Sequence, residues 1–242
     1  MTTAGPGPRP RYGVDGFPYV VALSVAAALP PAGALTLRRG TRQRGLATAA
    51  LAVGAAAAVP AALGIRYTAR GKFALRERVL DAVRWRGDET VVDLGAGAGL
   101  LGLGAAGRTA GVVHCVDLFV AKDLSGNTPQ RRWRNARALG VADRVRLYEV
   151  DVRRTGLPDA SVDVVLSSLC LHNLADAAAR ATALDEVARI LRPGGTVVIS
   201  DLAHVDDEYA PHLARRGFRV RRVERVPGTF PPQRLLVATR PD

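Results

Sequence analysis

Residues 91–107, VVDLGAGAGLLGLGAAG, constrain the fold more than any other stretch of the chain. A short Val-rich run that breaks into closely spaced glycines and resumes with leucines reads as strand, tight turn and helix. Such a unit presents backbone amides to a nucleotide-like ligand. Two registers fit. Gly97, Gly99 and Gly102 have the G-x-G-x-x-G spacing of a dinucleotide loop, whereas Gly95, Gly97 and Gly99 after Asp93 give D-x-G-x-G-x-G. In the first register Asp93 is left inside the strand without a partner, which is costly for a buried carboxylate. In the second it ends the strand and faces the crevice, where it can meet a cationic amino group. Gly102 then falls on the inner face of the helix, where a small residue allows close packing on the sheet.

Beyond residue 70 short Val-rich runs alternate with helical ones. The runs are Val91 to Leu94, Val112 to Val116, Val145 to Val150, Val162 to Ser167 and Thr196 to Ser200. Continuous apolar strands separated by helices predict a parallel sheet covered on both faces. Helices are expected over Phe73 to Arg84, from Thr128-Pro129 to Gly140, from Asp176 to the Pro193-Gly194-Gly195 stop, and over Glu208 to Arg216. Arg219 to Val226 and Leu235 to Thr239 complete a seven-stranded sheet, and their short connection permits an antiparallel pair. The fold class is therefore α/β, with a mostly parallel sheet.

The same strand ends carry two more acids. Asp117 follows VHCV, where a carboxylate can accept from ribose hydroxyls, and Asp151 follows the third strand, where it can read the exocyclic amine of adenine. Asp93, Asp117 and Asp151 together suit a ligand with an amino-acid moiety, a ribose and an adenine, and do not suit a pyrophosphate. The alternative for each is a helix cap or turn.

With VVDLGAGAG, the following VDL, EVDVRRTGLPDASVDVVLSS and the LRPGG turn before TVVISDL, the chain resembles class I S-adenosylmethionine-dependent methyltransferases over roughly residues 72 to 242. YGVDG, SSLCLHNL and DLSGN, with two apolar segments, are similar to a membrane-anchored bacterial group of these enzymes. The resemblance implies a Rossmann-like domain, S-adenosylmethionine as cofactor and methyl transfer as the activity. It places Asp93 at the cofactor's methionine end, with Gly95, Ala96, Gly97 and Gly99 in the loop beneath. Asp117 would hold the ribose, Leu118 the adenine face, and Asp151 with the Val152 amide the adenine edge. Ser167 and Ser168 would lie near the point of methyl transfer.

The loop after the fourth strand borders the reacting methyl in such a fold, which makes His172 the candidate for accepting a proton or orienting an acceptor. Its alternative, shared with Asn173, is a cap on the next helix. Asp123, Ser125 and Asn127, in DLSGN, overhang the crevice and with Asn173 are candidate pocket residues, although Ser, Gly and Asn are also ordinary turn formers. His204, Asp206, Asp207 and His212 have no compact metal spacing, and no metal is expected. Cys115 and Cys170 sit singly in apolar runs, as buried free thiols of a reducing compartment do.

Upstream the composition changes. No charged residue occurs from Phe17 to Leu37 or from Leu46 to Ile65, and about twenty helical residues match the ~30 Å hydrocarbon core of a bilayer. Residues 1–70 therefore read as a tail and a two-helix membrane hairpin, and 71–242 as the catalytic domain. Pro30, Pro31, Pro60 and the Ala-rich composition leave two packed soluble helices as the alternative. The loop holds Arg38, Arg39, Arg42 and Arg44, but the flanks hold more: Arg9 and Arg11 before, and Arg66, Arg70, Lys72, Arg76 and Arg78 after. This places both ends, and the domain, on the cytoplasmic side of the cytoplasmic membrane. The five basic residues after the second segment are candidates for anionic headgroups.

The net charge of +12 comes almost wholly from arginine and fits a compositional habit as well as a function. Twelve aromatic residues provide no stacking platform for nucleic acid, and SSLC replaces the NPPY-type run of enzymes that modify nucleobases. The acceptor expected is a lipid or hydrophobic small molecule collected from the bilayer; the alternatives are a protein or nucleic acid recruited by the basic surface, and a noncatalytic membrane protein that only binds S-adenosylmethionine.

Overall fold

Strand order in the sheet is β3-β2-β1-β4-β5-β7-β6, with β7 antiparallel to both neighbours and the other pairings parallel. The computed structural model describes residues 9–15, 17–36, 41–120 and 124–242. The strands are β1 Val91–Leu94, β2 Val113–Val116, β3 Val145–Tyr148, β4 Val162–Ser168, β5 Leu191–Asp201, β6 Arg219–Val226 and β7 Gln233–Thr239. The order reverses direction between β1 and β4. In parallel sheets that reversal opens a crevice at the carboxyl ends of the strands. All four residues of β1 are buried, as expected of a central strand covered on both faces.

The helices are α1 Phe17–Thr36, α2 Thr41–Arg66, α3 Lys72–Asp81, α4 Leu100–Ala105, α5 Pro129–Ala138, α6 Ala177–Ile190 and α7 Ala210–Arg215. Capping residues set their starts. The Thr128 hydroxyl accepts from the Arg131 amide with Pro129 in the first turn, and the Asp176 carboxylate accepts from the Ala179 amide. The end of α6 differs from the sequence expectation. The helix stops at Ile190 and β5 starts at once, because Leu191 pairs with Val162 and Gly194 and Gly195 exchange backbone hydrogen bonds with Arg240. The Pro-Gly-Gly segment is thus an irregular strand start as well as a helix stop.

Both apolar segments are helical and pack on one another as a hairpin. One helix among the described residues, Gly45–Asp81, is long and apolar enough to cross a membrane, and the apolar part of α1 is the shorter Pro18–Ala28. Of the twelve exposed large apolar side chains among the described residues, nine lie between Tyr19 and Ile65. The hairpin passes into the domain without a loop, since a π-type turn at Tyr67–Gly71 joins α2 directly to α3. Such turns widen a helix locally and are frequent beside functional sites.

Ahead of α1 a strap runs across the domain. Asn135 receives the Arg11 amide at 2.8 Å and returns a bond to the Arg11 carbonyl at 2.9 Å. Val14 and Ser125 bond to each other through the Ser125 hydroxyl and amide, at 2.8 and 3.1 Å. Tyr12 is buried edge-on against Phe73. Of the five basic residues after the second apolar segment, Arg66, Arg70 and Arg78 are exposed, with Arg78 also paired to Glu224. Lys72 is buried, so it does not present its charge to a headgroup, and the half-buried Arg76 pairs with Glu77.

Candidate active site

The glycine loop shows how the strand-end acids are used. Gly99 caps α4 at φ 89° and has no side chain to satisfy the helix's free amides. Asp93 supplies the missing acceptor, taking the Gly102 amide at 2.7 Å while 1% exposed. Burial raises its pKa to about 7, an effect that the Gly102 bond and the Arg132 charge only partly oppose. Gly102 faces the sheet, where an added Cβ would come within 2.7 Å of the Cys115 sulfur.

Asp117 closes the loop from the next strand. One of its oxygens accepts the Gly97 amide at 2.7 Å; the other accepts the Phe119 amide at 2.5 Å and the Asn127 side chain at 3.1 Å. Arg132, fully buried, donates to the Gly97 carbonyl and lies 3.8 Å from Asp117. A carboxylate offers about four acceptor positions, so some capacity remains. The Asn127 side-chain oxygen is buried and has no hydrogen-bond partner.

These groups line a cavity of about 760 Å³ along the carboxyl ends of the strands. Gly95 and Gly97 enter it after β1, Asp117 and Leu118 after β2, Asp151 and Val152 after β3, Ser168 to Cys170 and His172 to Leu174 at the end of β4, and Leu202 after β5. Its opposite wall is the hairpin, through Tyr19, Val20, Leu23, Pro60, Ala61 and Gly64. Leu118, half exposed, offers an apolar surface. Asp151 is bound to Arg153 at 2.6 Å, which holds its carboxyl below the usual range.

His172 stands at the β4 end of the cavity in a short 3-10 turn, Leu171–Asn173. Its Nδ1 is 2.5 Å from an oxygen of Asp201, and its amide donates to the other oxygen at 3.1 Å. Asp201 is the last residue of β5 and fully buried. A carboxylate at Nδ1 fixes the hydrogen there and leaves the Nε2 lone pair available. Leu169, at φ 52°, turns the chain sharply between Ser168 and this dyad. Cys170 also lines the cavity, but burial first and the Asp201, Asp117 and Asp93 charges next push its thiol pKa up, so it remains protonated.

The sequence candidates divide accordingly. Asp117, Leu118, Asp151, Val152, Ser168, His172, Asn127 and Asn173 share the large cavity with Gly95 and Gly97, and Ala96 lines a smaller adjoining chamber. Ser167 does not reach it, because its hydroxyl is buried against the Leu94 carbonyl at 3.0 Å. Ser125 is turned to the strap and Gly99 to the helix start. Asp123 lies outside the described residues. His204 comes together with Asp207 and Glu208, yet Glu208 is engaged by Arg180. Sequence reasoning missed Asp201, although it ends TVVISD at a strand terminus, and missed the hairpin wall, which has no local signal.

The donor set fits S-adenosylmethionine. The cavity lining contains Asp15, Asp117 and Asp151, whereas their basic partners Lys72, Arg132 and Arg153 are not among its lining residues. The cavity thus offers carboxylate acceptors to hydroxyl and amine groups and, among the described residues, no basic side chain to a pyrophosphate. The Asn127 oxygen beside Asp117 awaits a donor of the kind a ribose hydroxyl provides.

Fold and site thus define an α/β domain whose strand-end crevice suits an adenosyl ligand. Residues 92–199 match the family described as "Methyltransferase domain", and this part of the chain is a methyltransferase domain of the S-adenosylmethionine-dependent class. It is 33% identical over 142 residues to a ribosomal protein L11 methyltransferase of Methylococcus capsulatus, covering 58% of this chain and 43% of that one. It is 32% identical over 143 residues to a demethylmenaquinone methyltransferase of Beutenbergia cavernae, covering 59% and 52%. The chain thus spans about half the length of these curated relatives. The geranyl diphosphate C-methyltransferase of Streptomyces coelicolor superposes with a TM-score of 0.58 at 17% identity, over 92% of this chain and 98% of that one, which speaks for the fold. A methyltransferase of Aquifex aeolicus gives 0.56 at 22% identity over 74% and 97%.

Proposed function

We propose that this chain is a membrane-tethered methyltransferase of the cytoplasmic face that methylates a lipid or a hydrophobic small molecule. One observation carries the reading: the cavity beside Asp117 and His172 takes its far wall from the apolar hairpin, through Tyr19, Val20, Leu23, Pro60, Ala61 and Gly64. An acceptor partitioned into a bilayer around α1 and α2 would meet this wall first. Only about half of each relative aligns, and their named substrates range from a ribosomal protein to a quinone precursor, so the acceptor is argued from the cavity.

S-adenosylmethionine supplies, when bound, an electrophilic methyl group on a cationic sulfur. Asp117, Asn127 and Asp151 would hold its adenosyl part, with the Gly95 to Gly97 backbone close beneath. His172, oriented by Asp201, takes the proton of an O–H or N–H acceptor at Nε2. The apolar wall excludes water, which strengthens the field of the carboxylates around a cation.

Full-length protein reconstituted in vesicles, given methyl-labelled cofactor and fractionated membrane extract, tests this. Label is expected in the organic phase. Label appearing only in protein or RNA would overturn the acceptor class.

A further inference from the structure

A second, smaller chamber adjoins the cavity behind the glycine loop. It measures about 60 Å³, roughly two waters' worth of liquid volume, so it can take a small polar head and not a nucleoside. Asp93, Gly95, Ala96 and Gly97 form one side, and Tyr12, Asp15, Tyr67 and Lys72 the other. Asp15, Gly95, Gly97 and Ser168 border both spaces, so the chamber continues the cavity away from Asp151.

The chamber's charges are unusual. Lys72 is 3% exposed, and its ammonium donates to the Gly13 carbonyl. It faces Asp15 at 3.9 Å, beyond hydrogen-bond distance. An ammonium has three donors, and a buried one is costly unless they are used. Lys72 and Asp15 thus form a loose pair of opposite charges in a space the size of a small head group. Asp93 already takes the Gly102 amide, and burial raises the carboxyl pKa of Asp15 as well as that of Asp93, but only at Asp15 does the Lys72 ammonium oppose the rise.

We propose that Asp15 and Lys72 clamp the zwitterionic end of the cofactor, Asp15 accepting from the α-ammonium and Lys72 donating to the α-carboxylate. This assignment rests on the cofactor reading above and moves the methionine anchor from Asp93 to the strap and the start of α3. Asp93 becomes the cap of α4 that shapes the chamber floor. The separation of the two charges is what a zwitterion of complementary sense needs, since each of its ends replaces the opposite member of the resting pair.

Two ligands differing only at that end provide the test. S-adenosylhomocysteine carries the amino-acid head and 5′-methylthioadenosine lacks it. Both are titrated by calorimetry into full-length wild type, Asp15→Asn and Lys72→Met in detergent. Each substitution is expected to weaken S-adenosylhomocysteine about tenfold or more and to leave methylthioadenosine within about twofold, since a charge-assisted bond contributes on the order of one decade or two. Retained methylthioadenosine binding also reports that the variant is folded. Equal weakening of both ligands, or no change in either, overturns the clamp. A wild type that binds neither ligand overturns the cofactor reading itself, and so is distinguished from failure of the clamp alone.

Discussion

The Nδ1 atom of His172 lies 2.5 Å from a carboxylate oxygen of Asp201, and the His172 amide is bound to the other oxygen of the same group. Ring and backbone are thus fixed by one buried side chain at the end of β5. His172→Ala is expected to lower turnover by ~10²–10⁴-fold, the range for loss of a general base, and to leave cofactor affinity unchanged. Asp201→Asn leaves the ring present but misdirected, so its rate should fall while cofactor affinity holds. Full activity in His172→Ala would mean that positioning alone accelerates the reaction.

Asp117 and Asp151 separate affinity from stability. Asp117 receives two amides and Asn127 and sits beside buried Arg132, whereas Asp151 is half-buried and paired only with Arg153. Asp117→Ala should weaken cofactor binding and also cost about 1–3 kcal/mol of stability, from donors left unpaired. Asp151→Ala should weaken binding with no comparable loss. Calorimetry and urea unfolding of both variants measure the difference.

Asp93 gives a pH signature. It keeps its proton up to about pH 7 in the folded chain, while an unfolded carboxyl releases it near pH 4. Between those limits the folded state binds more protons than the unfolded one, so this residue's contribution to stability falls as pH rises from about 4 to about 7 and is level above. Asp93→Asn keeps an oxygen for the Gly102 amide and removes the titration. Thermal melts from pH 5 to 8 should show the variant gaining Tm on wild type with rising pH. A difference that stays constant across that range would contradict the raised pKa.

The hairpin wall is tested at Gly64, whose added Cβ would meet Val20 and Phe230 at 3.6 and 3.8 Å, ordinary contact distances. Alanine should therefore be tolerated. Gly64→Leu should fill the apolar side of the cavity, lowering turnover with a bulky acceptor by about tenfold while S-adenosylhomocysteine binding holds. If both fall together, the wall serves the cofactor instead.

Much of the sheet was legible because buried parallel strands are short, Val-rich and punctuated by turns. Asp117, Asp151 and His172 were legible because each follows such a strand. Ser167 and Ser168 show where this ends. Neighbouring strand residues face opposite sides, and only the pairing of β4 with β1 tells which serine reaches the cavity. Asp93 was read as a ligand group because its position suits one; that it also takes an amide left free at the start of α4 was not legible, because the glycine there gives no sign of a cap from elsewhere. Asp15 and Lys72 were beyond reach, being 57 residues apart and joined by a hairpin whose folding back is a tertiary fact.

The uninterrupted passage from α2 through the π-type turn into α3 makes the hairpin a stiff mast. Gly45–Asp81 has 37 residues, about 55 Å of helical rise, against ~30 Å of hydrocarbon. In the proposed bilayer setting the remaining ~25 Å is rooted in the domain itself. The mouth of the cavity is then held at a set height and heading above the lipid. How deep an acceptor must rise to be methylated becomes a matter of helix length, and thickening the membrane would change which molecules arrive within reach.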